Sequence, residues 1–309
     1  MILDLDQGWQ ALTQAGIKAT TEIRISAEAL PSSPLVKMLT DARKRGLAVQ
    51  IVLGAKPEYV LDSKGQPTGP NRPYEKGPQG VELLALTQAD VDVFIPPAFT
   101  EIAGDVFQPG VRAHAAFGVV DGKTGLVCSS HPRRNGDKRT GLCVRSDAPE
   151  IVKSLQAIHE IDFNFELKPA AAAALGASIK VPVLVTPAQG PAFLKLLTQA
   201  DLAVATSEIS EGAALQALIT NTNKPLVVLS ALAGPSRAAL ASLKQAGFRV
   251  QWSSESFDGT WIAASGWGFV GSQRASDFQI NKSRDVGIVV GADDAKALMQ
   301  RITALPNKP

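Results

Sequence analysis

The chain has 309 residues, 45% of them apolar and 19% charged, enough for two packed cores and without the bias of a disordered protein. Its 31 basic and 29 acidic residues exclude a polycationic coat, so any grip on nucleic acid or phosphate must be local. No apolar run reaches the roughly 18 residues of a membrane helix, and the opening MILDLDQGWQ does not read as a secretory signal.

Periodicity and turn residues then give alternating elements. Leu5–Ala15 reads as a helix ended by Gly16, Thr20–Ser26 as a strand, and Ser33–Arg45 as a helix with a proline in its first turn. Leu47–Leu53 is a strand. The stretch from Ala55 to Gly80 is rich in proline and glycine and breaks the pattern, as a functional or mobile loop does. Val81–Ala89 is a helix and Val91–Ile95 a strand. From Val111 a strand leads to the Asp121-Gly122 turn, with Arg112 and His114 on one face. Gly125–Ser129 returns, a basic loop follows, Gly141–Ser146 is a strand, and Pro149–Phe165 is a closing helix.

After an alanine-rich linker the order repeats: strand Val183–Thr186, helix Pro191–Ala200, strand Leu202–Ile209, helix Glu211–Asn221, strand Pro225–Ala231, helix Ser236–Ala246 and strand Phe248–Ser253. Strands Trp261–Ala264, Gly268–Ser272 and Asp285–Val290 and helix Asp293–Leu305 complete it. The echoes ALTQAG, ALTQAD, LLTQAD and SLKQAG each end a helix and feed a strand, two in each half, which points to a duplication. The boundaries are 1–168, a linker at 169–180, and 181–309.

His114, Asp121 and Ser129 fall at the spacing H-x-K-x4-D-x6-G-S, with Ala116 in place of the lysine and Cys128 in place of the glycine. Together with GFVGS (Gly268–Ser272) and NKSRDVGIVV (Asn281–Val290), this resembles the phospholipase D superfamily. The resemblance implies an α/β fold: a duplicated phospholipase D-like αβα sandwich, its two mixed-sheet halves related by a pseudo-twofold, with a cleft between them. In that family one histidine attacks phosphorus, a second protonates the leaving group, and lysines hold the phosphate oxygens. Here Phe257 stands at the second histidine position, Gly259 at the lysine and Ala264 at the aspartate, with Asp258 one residue off. Ser272 survives, Asp285 falls near the family's acidic residue, and His131 and Arg274 take the places of asparagines.

The resemblance therefore implies a member that has lost the family reaction. His114, Asp121 and Ser129 would be the relic of the catalytic set. Arg112, His131, Arg133, Arg134, Arg139, Ser272, Arg274, Lys282 and Arg284 would line a phosphate-binding groove, because guanidinium forks match phosphate. The leading expectation is a non-catalytic protein that binds nucleic acid or another phosphodiester. The alternatives are a residual phosphodiesterase (nuclease or phospholipase) acting through His114, and a protein-binding scaffold using the loop Lys56–Pro78. The basic loop reads equally as a solvated surface, Trp261 and Trp267 as core residues or base-stacking platforms, and His159 as structural or solvated. No metal site or cofactor is expected, since no ligand cluster is spaced for one. A chain carrying both halves needs no second copy, so a monomer is expected. Cys128 and Cys143, on neighbouring strands, read first as buried free thiols in a cytoplasmic protein; a disulfide between them would imply export.

Overall fold

A computed structural model describes residues 1–30, 33–54, 80–95, 99–102, 106–109, 112–132, 138–164, 179, 182–231 and 237–307. The first half builds a seven-stranded sheet. Its order is β1 (Ile2–Asp4), β10 (Leu142–Ser146), β9 (Thr124–Cys128), β8 (Phe117–Val120), β2 (Glu22–Ala27), β3 (Ala48–Leu53) and β4 (Asp92–Phe94). The second half repeats it with β11 (Val183–Val185), β18 (Val286–Gly291), β16 (Trp267–Gly271), β15 (Thr260–Ala263), β12 (Ala203–Thr206), β13 (Leu226–Leu229) and β14 (Val250–Trp252). In each sheet three strands are parallel and the rest antiparallel, and the two orders correspond strand for strand. The fold is the duplicated α/β sandwich that the resemblance implied.

Strands that bear helices on both faces are apolar throughout: every residue of β8, β12, β13 and β15 is buried. Helices α1 (Leu5–Ile17), α2 (Ser33–Lys44) and α3 (Gly80–Gln88) cover the outer face of the first sheet. Helices α5 (Gly190–Gln199), α6 (Ala213–Ile219) and α7 (Arg237–Gln245) do the same for the second. The two inner faces share one core, in which α4 (Pro149–Phe163) and α9 (Ala292–Thr303) lie between the sheets. That common core fixes the halves against each other and so positions any groove between them.

The strand read onward from Val111 is in fact broken at His114. β7 (Arg112–Ala113) leaves the first half and pairs in parallel with β17 (Ser283–Arg284) of the second, and only at Phe117 does β8 enter the sheet. A two-strand ribbon of β5 (Phe99–Ile102) and β6 (Val106–Pro109), the edge strand β1 and the short helix α8 (Asp277–Lys282) were not anticipated. Most of the expected linker, and the loop proposed as a scaffold surface, lie outside the described residues; Ile179 is buried in the common core.

Cys128 and Cys143 form a disulfide across the β9–β10 pair, which corrects the reading of free thiols. Register decided this: the two residues face each other directly, and α1 passes so close that a Cβ on Gly8 would fall 2.4 Å from the Cys143 sulfur.

Candidate functional site in the cleft between the halves

His114 sits where the chain crosses from β7 to β8, and its side chain is almost wholly buried. Its backbone N–H donates to the Arg284 carbonyl of the other half at 2.9 Å, so the crossing strands fix its position. Its Nδ1 donates to Asp285 Oδ1 at 2.7 Å, an imidazole of the first half oriented by a carboxylate of the second. That bond turns Nε2 toward the cleft. There Arg274 Nη2 lies at 3.3 Å, Glu28 Oε2 at 3.4 Å and Asp258 Oδ2 at 4.0 Å. Burial alone would lower the His114 pKa, but Asp285, Asp258 and Glu28 together raise it above its ordinary value.

Around this centre the charges are matched in pairs. Arg274 donates to both oxygens of Asp258, at 2.9 and 3.1 Å, and lies 3.5 Å from Glu208. Asp258 is buried, which would raise its pKa, yet His114 and Arg274 hold it well below the usual carboxylate range. Ser207 Oγ and the Gly259 N–H also donate to it. Burial lowers the His131 pKa, so that ring is neutral. Its Nε2 lies 3.3 Å from Arg139 Nη2 and accepts there, which leaves Nδ1 facing Glu28 at 3.8 Å. His114, His131, Arg139 and Arg274 are thus brought together, as the sequence suggested. The carboxylates Glu28 and Glu208 were missed. The only signal available was their shared place: Ile23 faces Val120 at the end of β8, Ala203 faces Ala263 at the end of β15, and five residues further on stand Glu28 and Glu208.

Other predicted residues lie elsewhere or are engaged. Asp121 is at the far end of β8 from His114, in a turn where it and Gly122 take positive φ of 52° and 59°. Its carboxylate accepts from the N–H groups of Thr20, Thr21 and Glu22 and from both threonine hydroxyls. Partial burial works against ionisation, but those amide bonds bring its pKa down to about 2. It pins the start of β2 and does not belong to the cleft. Ser129 and Ser272 are buried and accept from the N–H groups of Leu142 and Val286, tying strand ends together.

Arg284, expected on phosphate, is fully buried: its Nε donates to Asp162 Oδ1 at 2.9 Å and its Nη1 to the Thr186 carbonyl. Its partner lies 122 residues away and could not be read from the neighbouring sequence. Trp261 packs on Phe257 with ring centroids 4.8 Å apart and is a core residue, not a stacking platform; Trp267 is half-buried at the start of β16. His159 is buried, stacked on Phe163 and edge-on to Phe117. Lys138 is exposed. Arg133 and Arg134, and the side chains of Arg112 and Lys282, lie outside the described residues.

The second-half counterpart of the His114 centre is closed. Phe257, which the family spacing puts at the second histidine, is 0% exposed and packs on Trp261 in the common core, while its neighbour Asp258 is the side chain that reaches the cleft, with Oδ2 4.0 Å from His114 Nε2. Asp285 precedes the residue bonded to Ser272, and the residue in that place in the first half is Gly141, so the first half has no carboxylate to match Asp285. Gly259, at the lysine place, has φ +78°, and a Cβ there would fall 2.2 Å from the Gly271 carbonyl oxygen and 2.6 Å from that of Ser129. No side chain fits without moving backbone. Among the described residues no cluster of histidine and carboxylate groups is arranged to hold a metal ion.

Residues 12–162 match the family described as "Cardiolipin synthase, PLD-like domain". The fold is similar over 99% of the chain to phosphatidylserine synthase from Haemophilus influenzae (10% identity, TM-score 0.67, 86% of that chain covered). It is similar over the same share to polyphosphate kinase from Porphyromonas gingivalis (10% identity, TM-score 0.66). The chain spans only about half the length of that kinase, covering 49% of it. These likenesses are of fold. No curated protein matches the chain by sequence.

Proposed function

The chain belongs to the phospholipase D superfamily, and we propose that its cleft receives a phosphate-bearing ligand without carrying out the two-histidine reaction. The observation that carries the loss of reaction is the closed counterpart: Phe257 for the second imidazole, Gly141 for its carboxylate, Gly259 for the lysine. A reaction that needs one imidazole as nucleophile and another as proton donor cannot run on one. The carboxylates Asp285, Asp258 and Glu28 raise the His114 pKa and so favour the protonated ring, in which Nε2 is a donor and not a nucleophile. Binding rests on His114, Arg274 and Arg139, whose N–H groups converge on the cleft. Nucleic acid is the ligand to test first. Fluorescence anisotropy with labelled single- and double-stranded DNA at low and moderate salt should show salt-sensitive binding with the DNA recovered intact. Arg274→Gln should weaken it, and unchanged binding would overturn the proposal.

A second reading, residual phosphodiesterase activity through His114, is favoured by one observation, the intact His114–Asp285 pair. Turnover of bis(p-nitrophenyl) phosphate that disappears in His114→Ala would establish it.

The disulfide supports a place of work in an oxidising compartment.

A further inference from the structure

His114 is held from the second half by two consecutive residues. The Arg284 carbonyl accepts its backbone N–H at 2.9 Å, and the Asp285 carboxylate accepts its Nδ1–H at 2.7 Å. Whatever fixes those two residues fixes the ring. They end and follow β17, which has two residues and pairs with Arg112 and Ala113 of β7. A two-stranded ribbon is marginal by itself even at hairpin length, so β17 needs support from outside its own pairing.

That support is a buried polar cluster. Thr186, just past β11, donates its N–H to the Asp285 carbonyl at 3.0 Å and its hydroxyl to the Ser283 carbonyl at 3.0 Å. The Asp285 N–H donates back to that hydroxyl at 3.3 Å. The Arg284 guanidinium closes the cluster from the side, with Nη1 on the Thr186 carbonyl at 3.4 Å and Nε on Asp162 Oδ1 at 2.9 Å. Asp162 stands in the last turn of α4, in the first half. Thr186 and Arg284 are 0% exposed and Asp162 1%. A first-half helix thus grips the second-half segment that in turn grips a first-half histidine.

An ion pair in such a place is a poor source of stability, because both charges leave water and Asp162 Oδ2 and Arg284 Nη2 are left without a hydrogen-bond partner. What the pair supplies is direction: a guanidinium held through Nε and Nη1 at once keeps Arg284 in one place along β17. We infer that Asp162 is a positioning residue of the cleft: through Arg284 it holds β17 so that the Arg284 carbonyl and the Asp285 carboxylate meet His114. What the positioned ring then binds rests on the phosphate reading above. The ring itself faces Asp285, Glu28, Asp258 and Arg274, and Asp162 reaches it through β17.

Two variants separate position from packing and from charge. Asp162→Leu combined with Arg284→Met replaces the pair by apolar side chains, a change that buried ion pairs often tolerate, and leaves net charge unaltered. Burial works against protonation of His114 and Asp285 works for it, so a misplaced Asp285 leaves burial to prevail. The His114 titration, followed by NMR, should therefore move down by about one pH unit, about a tenfold loss of proton affinity. Leu243→Ala, a cavity in the outer core of the second half, also lowers stability and should leave His114 unmoved. An unchanged His114 titration in the folded double variant overturns the proposal. Asp162→Asn reads the same role by its sign. Removal of a carboxylate would by charge alone tighten the binding of DNA, whereas loss of position should weaken it about tenfold in fluorescence anisotropy at low salt. Equal or tighter binding overturns the proposal. Absence of DNA binding by the wild-type chain overturns the phosphate reading instead, and the His114 titration then decides the role of Asp162.

Discussion

The two halves of this molecule share an order of strands and differ at their centres. On one side His114 is backed by Asp285; at the places that correspond to them in spacing stand Phe257, buried in the core, and Gly141. Both members of the pair are changed together, and the physical reason is coupling. A buried carboxylate without its imidazole is an uncompensated charge, and an imidazole without its carboxylate has no fixed tautomer. The same contrast recurs one residue away. The β9–β10 pair carries the Cys128–Cys143 disulfide where the β16–β18 pair has Gly271 facing Gly287, and there Phe269 and Gln273 fill the space. The strands that cross between halves differ too. Arg284 is spent on Asp162, whereas the residue in its place in the first half is Thr140, which makes a hydroxyl bond to the Ser256 carbonyl. The two halves thus keep the same strand order while their paired groups differ position by position.

Breaking the buried ion pair should have the largest effect. Asp162→Ala strands Arg284 in the common core and should cost about 3–5 kcal/mol, while Thr140→Val at the equivalent place should cost no more than about 1 kcal/mol, both read from denaturant midpoints. Burial, partly offset by Arg284, already pushes the Asp162 carboxyl up to about 6, so this clamp is strained by its own desolvation. Removing the disulfide comes next. It closes a loop of 15 residues, and Cys128→Ala with Cys143→Ala should lose about 3 kcal/mol; reduction of the native chain should give a similar drop.

Phe257→His sharpens the comparison from the other side. It places an imidazole among apolar neighbours without a carboxylate and should cost about 1–3 kcal/mol while restoring no turnover of a phosphodiester. If hydrolysis did appear, the loss of reaction would rest on Phe257 alone, with no part played by Gly141 or Gly259. The smallest effects are in pH. Burial depresses the His159 pKa to about 4, so the unfolded chain binds a proton near pH 6.5 that the folded chain refuses, and stability falls as pH drops from about 6.5 toward 4. His159→Phe should flatten that acid limb in thermal melts. His114 has the opposite sign. Its pKa is raised, so its stabilisation is complete below 6.5 and fades as pH climbs through the folded value. Asp285→Asn should bring the His114 titration, followed by NMR, back down.

The order of elements was legible because side-chain periodicity is local. The repeated helix ends and apolar strands of the two halves pointed to a duplicated α/β chain, and the spacing from His114 to Ser129 singled out the imidazole that the fold sets between the two halves. The same letters misled where a partner lay far along the chain. Arg284 beside a motif reads as a ligand until Asp162 takes it; Asp121 at motif spacing reads as catalytic until the amides of Thr20 and Thr21 claim it. Glu28 and Glu208, each just beyond a strand, read as solvated turn residues, and only their approach to His114 and Arg274 gives them a role. Sequence alone determined most of the sheet strands and the helices between them, because burial pattern is written residue by residue. Tertiary structure decided which charges meet, because an ion pair depends on distances that periodicity does not encode.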